Sequence, residues 1–318
     1  MRNKIIIFSV FIYFLISCSS YEDYNKNIEF YNDPDLFHRS MQKLTDVIVY
    51  DIFSPPVASR IYAYPSIAAY EVLRNSSLNY QSFAGQLNGL EPIPEPDLTK
   101  EYSFPVASIH AFLTVGKDLI FSENKISSYQ DELYTEFKKM GIPKDILERS
   151  LEYGEFVANH IKIWYEKDNY KQTRSFPKYT IQRGDDYSWK PTPPDYMEGI
   201  EPHWNKIRTL VIDSSNQFVI KPPPTFSLNK GSNFYKDLIE VYEIGNNLSD
   251  EQKEIASFWD CNPYVSHHKG HAMFATKFVE STLICQVYPI VEGCSTHSHP
   301  PFGSVKFGLF LFWKCPIQ

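Results

Sequence analysis

The 318-residue chain carries a net charge of −7, with 43% hydrophobic, 16% aromatic and 22% charged residues. This acidity leaves no electropositive footprint for nucleic acid. The apolar content excludes a disordered polymer and supplies enough side chains for one large or two modest cores. Besides Cys18 there are four cysteines (Cys261, Cys285, Cys294 and Cys315), which allow three disulfide pairings and show no CxxC metal spacing.

At the N-terminus, Arg2 and Lys4 precede the apolar run 5–17. That run is shorter than the roughly 20 residues a helix needs to cross a bilayer, so it predicts a cleavable signal peptide. It ends in Leu15-Ile16-Ser17-Cys18, which resembles a bacterial lipobox, and Ser19-Ser20-Tyr21-Glu22-Asp23 opens a polar tether. The expectation is a lipoprotein cut before Cys18, lipidated on that cysteine and held in the cell envelope. Serine at position 19 points to the outer membrane. Several buried acyl chains, at about 0.8 kcal/mol per CH₂, anchor firmly. The membrane, reached through this lipid, is the one partner the sequence predicts.

Downstream the apolar periodicity is helical, and the predicted fold class is all-α. Residues 35–53 place Leu36, Phe37, Met41, Leu44, Val47, Ile48 and Ile52 at helical spacing before Pro55-Pro56. Residues 57–74 are apolar nearly all round, which predicts a buried helix, kinked at Pro65. A proline-rich loop (90–98) leads to a further apolar helix over 103–121. Ser128 and Asp131 predict the cap of a helix running to Met140, closed by Gly141 and Pro143. Residues 144–165 form the next helix, with a stripe of Ile146, Leu147, Leu151, Val157, Ile161 and Trp164.

Residues 170–230 are rich in proline and aromatics without a long periodic run. They predict an irregular excursion with a short strand at Phe218–Ile220. Helices return at about 232–245 and 249–259, the latter opened by Ser249 and Gln252 in capping-box spacing.

Chemistry-bearing motifs are sparse. His267 and His271 in HHxxH share one helical face and are candidate zinc ligands, with His297 and His299 further on. The Glu of HExxH is missing, however, and solvated histidines after Asn262-Pro263 explain the pattern as well. There is no GxSxG elbow, P-loop or dinucleotide fingerprint.

Three stretches are similar to the N-terminal half of the vanadium-dependent haloperoxidase-like lipoproteins, in the superfamily shared with type 2 phosphatidic acid phosphatases. They are Asp51–Glu71 (DIFSPPVASRIYAYPSIAAYE), Trp189–Tyr196 with Glu201–Trp204, and Ser249–Asn262 continuing through Gly270-His271 to Lys277. The resemblance implies a haloperoxidase-type helical bundle over 34–277, after a signal peptide (1–17) and a lipidated tether (18–33). It implies vanadate as cofactor of the intact family, serving peroxide-dependent halide oxidation, or phosphate-ester hydrolysis in the phosphatase branch. In the family the oxyanion is held by a lysine, two arginines, a Ser-Gly-His segment and a further histidine.

None of those patterns occurs here. No arginine follows Arg208, and neither Arg-Pro nor Ser-Gly-His is present. From 281 to 318 only Glu292, Lys306 and Lys314 are charged, and Phe307–Trp313 is an apolar run. Residues 278–318 thus read as a divergent or frameshifted tail. The expectation is an incomplete bundle with no catalytic residue, which binds no vanadate and is inactive alone. The alternative is a non-enzymatic helical lipoprotein that grips glycans with the aromatics of 170–230.

Overall fold

The computed structural model describes residues 33–181, 184, 188–193 and 196–259. Its elements are α1 (Pro34–Tyr50), α2 (Pro55–Leu73), α3 (Phe104–Asp118), α4 (Glu123–Lys139), α5 (Lys144–Tyr165), the single turn α6 (Tyr170–Thr173), α7 (Asn233–Asn246) and α8 (Asp250–Phe258). Short 3₁₀ turns lie at Arg74–Ser76 and Trp204–Lys206. The described residues contain no strand, so the all-α class stands.

Helix α1 starts where Asp33 caps the Asp35 N–H at 2.9 Å and Pro34 supplies a preset φ. Its predicted stripe, Leu36 to Ile48, is buried, whereas Ile52 lies past the helix end at φ +56° and is exposed. The adjacent Asp51 is used differently. Its carboxylate accepts from the Phe121 and Ser122 N–H groups, both at 2.9 Å, and from Ser122 Oγ at 2.5 Å. A carboxylate from the end of α1 therefore satisfies the open N–H groups at the start of α4 and sits at its positive pole. This corrects the sequence expectation for α4, which begins at Glu123 and not at Ser128; Ser128 lies inside the helix. The capping group was distant in sequence, so the local pattern missed it.

Helix α3 is central: it packs against α1, α2, α4 and α5. Its buried residues lie all round (Val106, Ala107, Ile109, Ala111, Phe112, Leu113, Val115 and Gly116). One core cluster joins α1, α3, α4 and the start of α5 about Phe37 and Phe112, whose rings meet edge to face at 5.0 Å. A second joins α2, α3 and α5 about Tyr64, Val72, Ala111, Val157 and Trp164. Each fully buried large side chain stabilises the fold by about 1.5–3 kcal/mol relative to exposure. Helix α2 runs as one element through buried Pro65, although that residue cannot donate a helical hydrogen bond.

Two glycines set the closest approaches. A Cβ on Gly116 would stand 3.2 Å from Leu44 Cδ1, and one on Gly154 only 2.4 Å from the Ala107 carbonyl oxygen. The α3–α5 contact thus depends on the missing methyl.

Burial stops abruptly. After Thr173 no described residue is buried. The predicted strand at Phe218–Ile220 does not form. Those residues are exposed, and no other strand among the described residues can complete a ladder. The capping box expected for α8 is present, Ser249 with Gln252 acting reciprocally, and α7 is capped by Ser232, which accepts from the Tyr235 N–H.

Gly154→Ala is expected to destabilise the bundle by about 1–3 kcal/mol, because the added methyl meets backbone and not a mobile side chain. Urea unfolding measures this, and a loss below a few tenths would show that the helices separate freely.

Candidate functional site

The residues singled out for chemistry in the sequence, Cys18, His267 and His271, lie outside the described residues, as do Cys261, Cys285, Cys294, Cys315, His297, His299 and the tail 278–318. The candidate site within the described residues is a polar junction that periodicity did not reveal. It forms where α2, the end of α5 and the excursion meet.

At its centre Asp168 is 1% exposed. Its Oδ2 pairs with Arg60 Nε at 2.6 Å and accepts from Tyr64 Oη at 2.9 Å, while Oδ1 accepts from the Tyr170 N–H at 2.9 Å. The Arg60 guanidinium lies 5.0, 5.3 and 4.5 Å from the ring centres of Tyr64, Tyr165 and Tyr170. Three ring faces therefore surround a desolvated cation whose charge is met by one carboxylate. Burial, with Asp168 beside it, raises the Tyr64 phenol well above its ordinary range, so it stays a donor.

The junction extends through Tyr165, whose hydroxyl donates to Asp118 Oδ2, and Lys162 pairs with Asp118 Oδ1 at 2.5 Å. Burial pushes the Asp118 carboxyl up, but the bonds from Lys162 and Tyr165 outweigh it and hold the acid below its usual range.

The excursion returns to this point. The Arg208 N–H donates to the Asp168 carbonyl at 2.8 Å, and the Arg208 guanidinium covers Trp164 at 4.5 Å while Nη1 donates to the Trp164 carbonyl at 3.0 Å. Asn88 staples the next residues: its side-chain amide donates to Thr209 O, Thr209 Oγ1 and Ile212 O at 2.9–3.1 Å. Trp164 Nε1 in turn donates to the Asn88 carbonyl at 3.0 Å. On the outer side lies a shallow depression of about 410 Å³ lined by Asn88, Asn205, Ile207, Arg208, Thr209, Asp213, Ser214 and Ser215.

Two further polar groups tie separate segments together. Buried Glu71 accepts from Arg74 Nε, Ser82 Oγ and the Phe83 N–H at 2.6–2.9 Å. His110 bridges Tyr134 Oη at 2.5 Å and Glu155 Oε2 at 3.1 Å, linking α3, α4 and α5. The bond from His110 holds Glu155 below its usual range, and burial raises Tyr134.

Arg60 is closed off by Asp168, whereas the Arg208 guanidinium donates to the Trp164 carbonyl and covers the Trp164 ring while its buried Nε is left without a partner. No group of three or more His, Cys, Asp or Glu side chains suited to a metal ion occurs among the described residues. The donors among the described residues do not fit vanadate, since a multiply charged tetrahedral anion needs several convergent uncompensated cations and Arg208 stands alone.

The architecture defined by this helical bundle is a vanadium haloperoxidase-like fold. The chain is similar to a crystal structure of a bacterial vanadium-dependent iodoperoxidase, at 48% identity and a TM-score of 0.70 over 74% of this chain. It spans 58% of the length of that structure. No family model matches the chain, and no curated protein matches it. The fold expected from the three motif stretches is thereby established.

Asp168→Ala is expected to cost about 3–5 kcal/mol, because it strands a buried guanidinium. Adding Arg60→Met should restore part of that loss in urea unfolding. A single-variant loss under 1 kcal/mol would show that the pair is solvated.

Acid should destabilise the fold in two stages. Burial lowers the His38 pKa below 6.5, so the unfolded chain takes up that proton first and stability declines as pH falls below about 6.5. Asp118 and Glu155 are depressed from 3.8 and 4.5, so their contribution is complete above those values and lost as pH falls through the lower folded-state ones. Melting temperature measured from pH 7 to pH 3 tests this, and His38→Asn should remove the first stage only.

Proposed function

We propose that this chain is an envelope lipoprotein carrying the scaffold half of a vanadium haloperoxidase-like enzyme, and that alone it neither binds vanadate nor oxidises halide. The carrying observation is the charge arrangement. In the described bundle Arg60 and Arg74 are neutralised by Asp168 and Glu71, which leaves Arg208 as a lone guanidinium at the junction, and the sequence holds no arginine after Arg208. The similarity to an iodoperoxidase supports peroxide-dependent halide oxidation as the activity of the intact fold. Attachment through Cys18 rests on the Leu15-Ile16-Ser17-Cys18 motif and the short apolar run before it.

A second reading, glycan binding, is favoured by one observation. Trp189 and Tyr179 form an edge-to-face pair at 5.5 Å, are 38% and 42% exposed, and are backed by Gly199. Such a preformed aromatic surface suits sugar C–H faces.

Purified full-length chain, given vanadate, peroxide and iodide or bromide, is expected to produce no oxidised halogen above the protein-free rate. Vanadate-dependent turnover would overturn the proposal. Cys18→Ala should move the protein from the membrane to the soluble fraction and abolish fatty-acid labelling; unchanged membrane association would remove the lipoprotein reading. Retention on immobilised glycans, lost in Trp189→Ala, would favour the second reading.

A further inference from the structure

Residues 87–90 form a tight turn in which the Leu90 N–H donates to the Leu87 carbonyl at 3.2 Å. Gly89 takes the positive φ, +70°, that the third position of a type II turn requires. Leu87 and Leu90 are buried, while Gly89 is exposed and its own N–H has no hydrogen-bond partner among the described residues. Asn88-Gly89 is also the one Asn-Gly pair in the sequence. Such a pair is chemically labile, because glycine has no side chain to shield its amide nitrogen from the preceding carboxamide.

The structure holds this chemistry in check. Asn88 Nδ2 donates to the Thr209 carbonyl and to Thr209 Oγ1, both at 3.1 Å, and to the Ile212 carbonyl at 2.9 Å. The backbone is tied as well. The Asn88 N–H donates to the Leu210 carbonyl at 2.8 Å, and the Asn88 carbonyl accepts from Trp164 Nε1 at 3.0 Å.

We propose that Asn88 is a deamidation site gated by this docking, and that its modification releases the returning excursion irreversibly. In the reaction the Gly89 nitrogen loses its proton and bonds to Asn88 Cγ, and the Cγ–Nδ2 bond breaks to expel ammonia. Water then opens the cyclic imide at either carbonyl, leaving aspartate or isoaspartate, and nothing is oxidised or reduced. The departing nitrogen is the atom that makes all three side-chain bonds, so residues 209–212 must part from the turn before it leaves.

The product does not fit the same seat. A carboxylate has no hydrogen to donate, and it would face the Thr209 and Ile212 carbonyl oxygens where the amide now bonds to them. Thr209 Oγ1 can turn toward it only by giving up its own bond to the Ile212 carbonyl. Isoaspartate also adds a methylene to the main chain, which shifts residue 88 against Leu210 and Trp164.

The test ages the full-length chain at neutral pH and follows the peptide containing Asn88 by mass spectrometry, with isoaspartyl methyltransferase labelling. A synthetic peptide of residues 83–94 is the undocked reference. Conversion in the folded chain is expected to be at least tenfold slower than in the peptide, because it tracks the population of the opened form. Urea below the unfolding transition should speed it. Equal rates in chain and peptide, or a rate unmoved by urea until the whole bundle unfolds, would overturn the gating.

Hydrogen exchange reads the consequence. In the aged chain and in Asn88→Asp, the amides of residue 88 and Arg208, which now donate to the Leu210 and Asp168 carbonyls, should exchange at least tenfold faster. Amides within α3 and α5 should keep their protection. The aged chain carries this readout whether or not the variant folds. Arg208 is the one cation lining the same depression as Asn88, and its capture of the new carboxylate would slow the exchange. Slower or unchanged exchange in the aged chain would overturn the release.

Discussion

The buried pair of Arg60 and Asp168 holds together parts of the chain that hydrophobic packing alone would not position. Ion pairs placed out of water lose hydration, and the Coulomb attraction repays that loss only when geometry and additional hydrogen bonds are favourable. Here both conditions are met. Asp168 accepts from Arg60, Tyr64 and the Tyr170 amide, and three tyrosine rings surround the guanidinium. Because Asp168 follows α5 and Arg60 lies in α2, the pair fixes the end of one helix against the middle of another. The Asp168 carbonyl then receives the Arg208 N–H, which seats the returning excursion on the same point. Removing the carboxylate would therefore disturb helix packing and loop docking together.

A second constraint acts on the bundle itself. Helix α3 can touch four neighbours only because its own surface is small where it crosses α5 and receptive where it meets α1. Ala107 and Gly154 bring two backbones close, and Gly116 leaves room for Leu44. Close approach also brings His110 of α3 against Gly154 of α5, where its ring bonds to part-buried Tyr134 and to the more exposed Glu155. Packing and polar order are thus coupled. The small residues set the spacing, and that spacing puts the side chains of three helices within hydrogen-bond reach.

Much of the helical framework was legible in the sequence because its signals are local. The stripe from Leu36 to Ile48, the left-handed stop at Gly141 and the box of Ser249 with Gln252 each act within one or two turns. The start of α4 was not legible, since its first N–H groups are met by Asp51, far upstream. Phe218–Ile220 has the composition of a strand, but a strand is a pairwise structure, and composition says nothing about a partner. The Asp168 junction was hidden for the same reason. Its members come from positions 60, 64, 165, 168, 170 and 208, and no spacing rule unites them. The sites named from sequence alone, Cys18, His267 and His271, fall outside the described residues.

The similarity to an iodoperoxidase concerns the helical scaffold, and a scaffold and an oxyanion site make different physical demands. A helical bundle forms wherever apolar stripes meet, and the stripes of α1 to α5 meet in two core clusters. An oxyanion site has the opposite requirement. Its cations must remain uncompensated until the anion arrives, so they cost stability and need surrounding structure to hold them apart. In the described bundle Arg60 and Arg74 are paired with Asp168 and Glu71, while Arg208 is held by the Trp164 carbonyl and ring with its Nε left over. An amphipathic pattern like the one buried in α1 recurs in α7, where none of the described residues is buried. The frame of α1 to α5 therefore draws its stability from its own apolar stripes and not from α7 or α8.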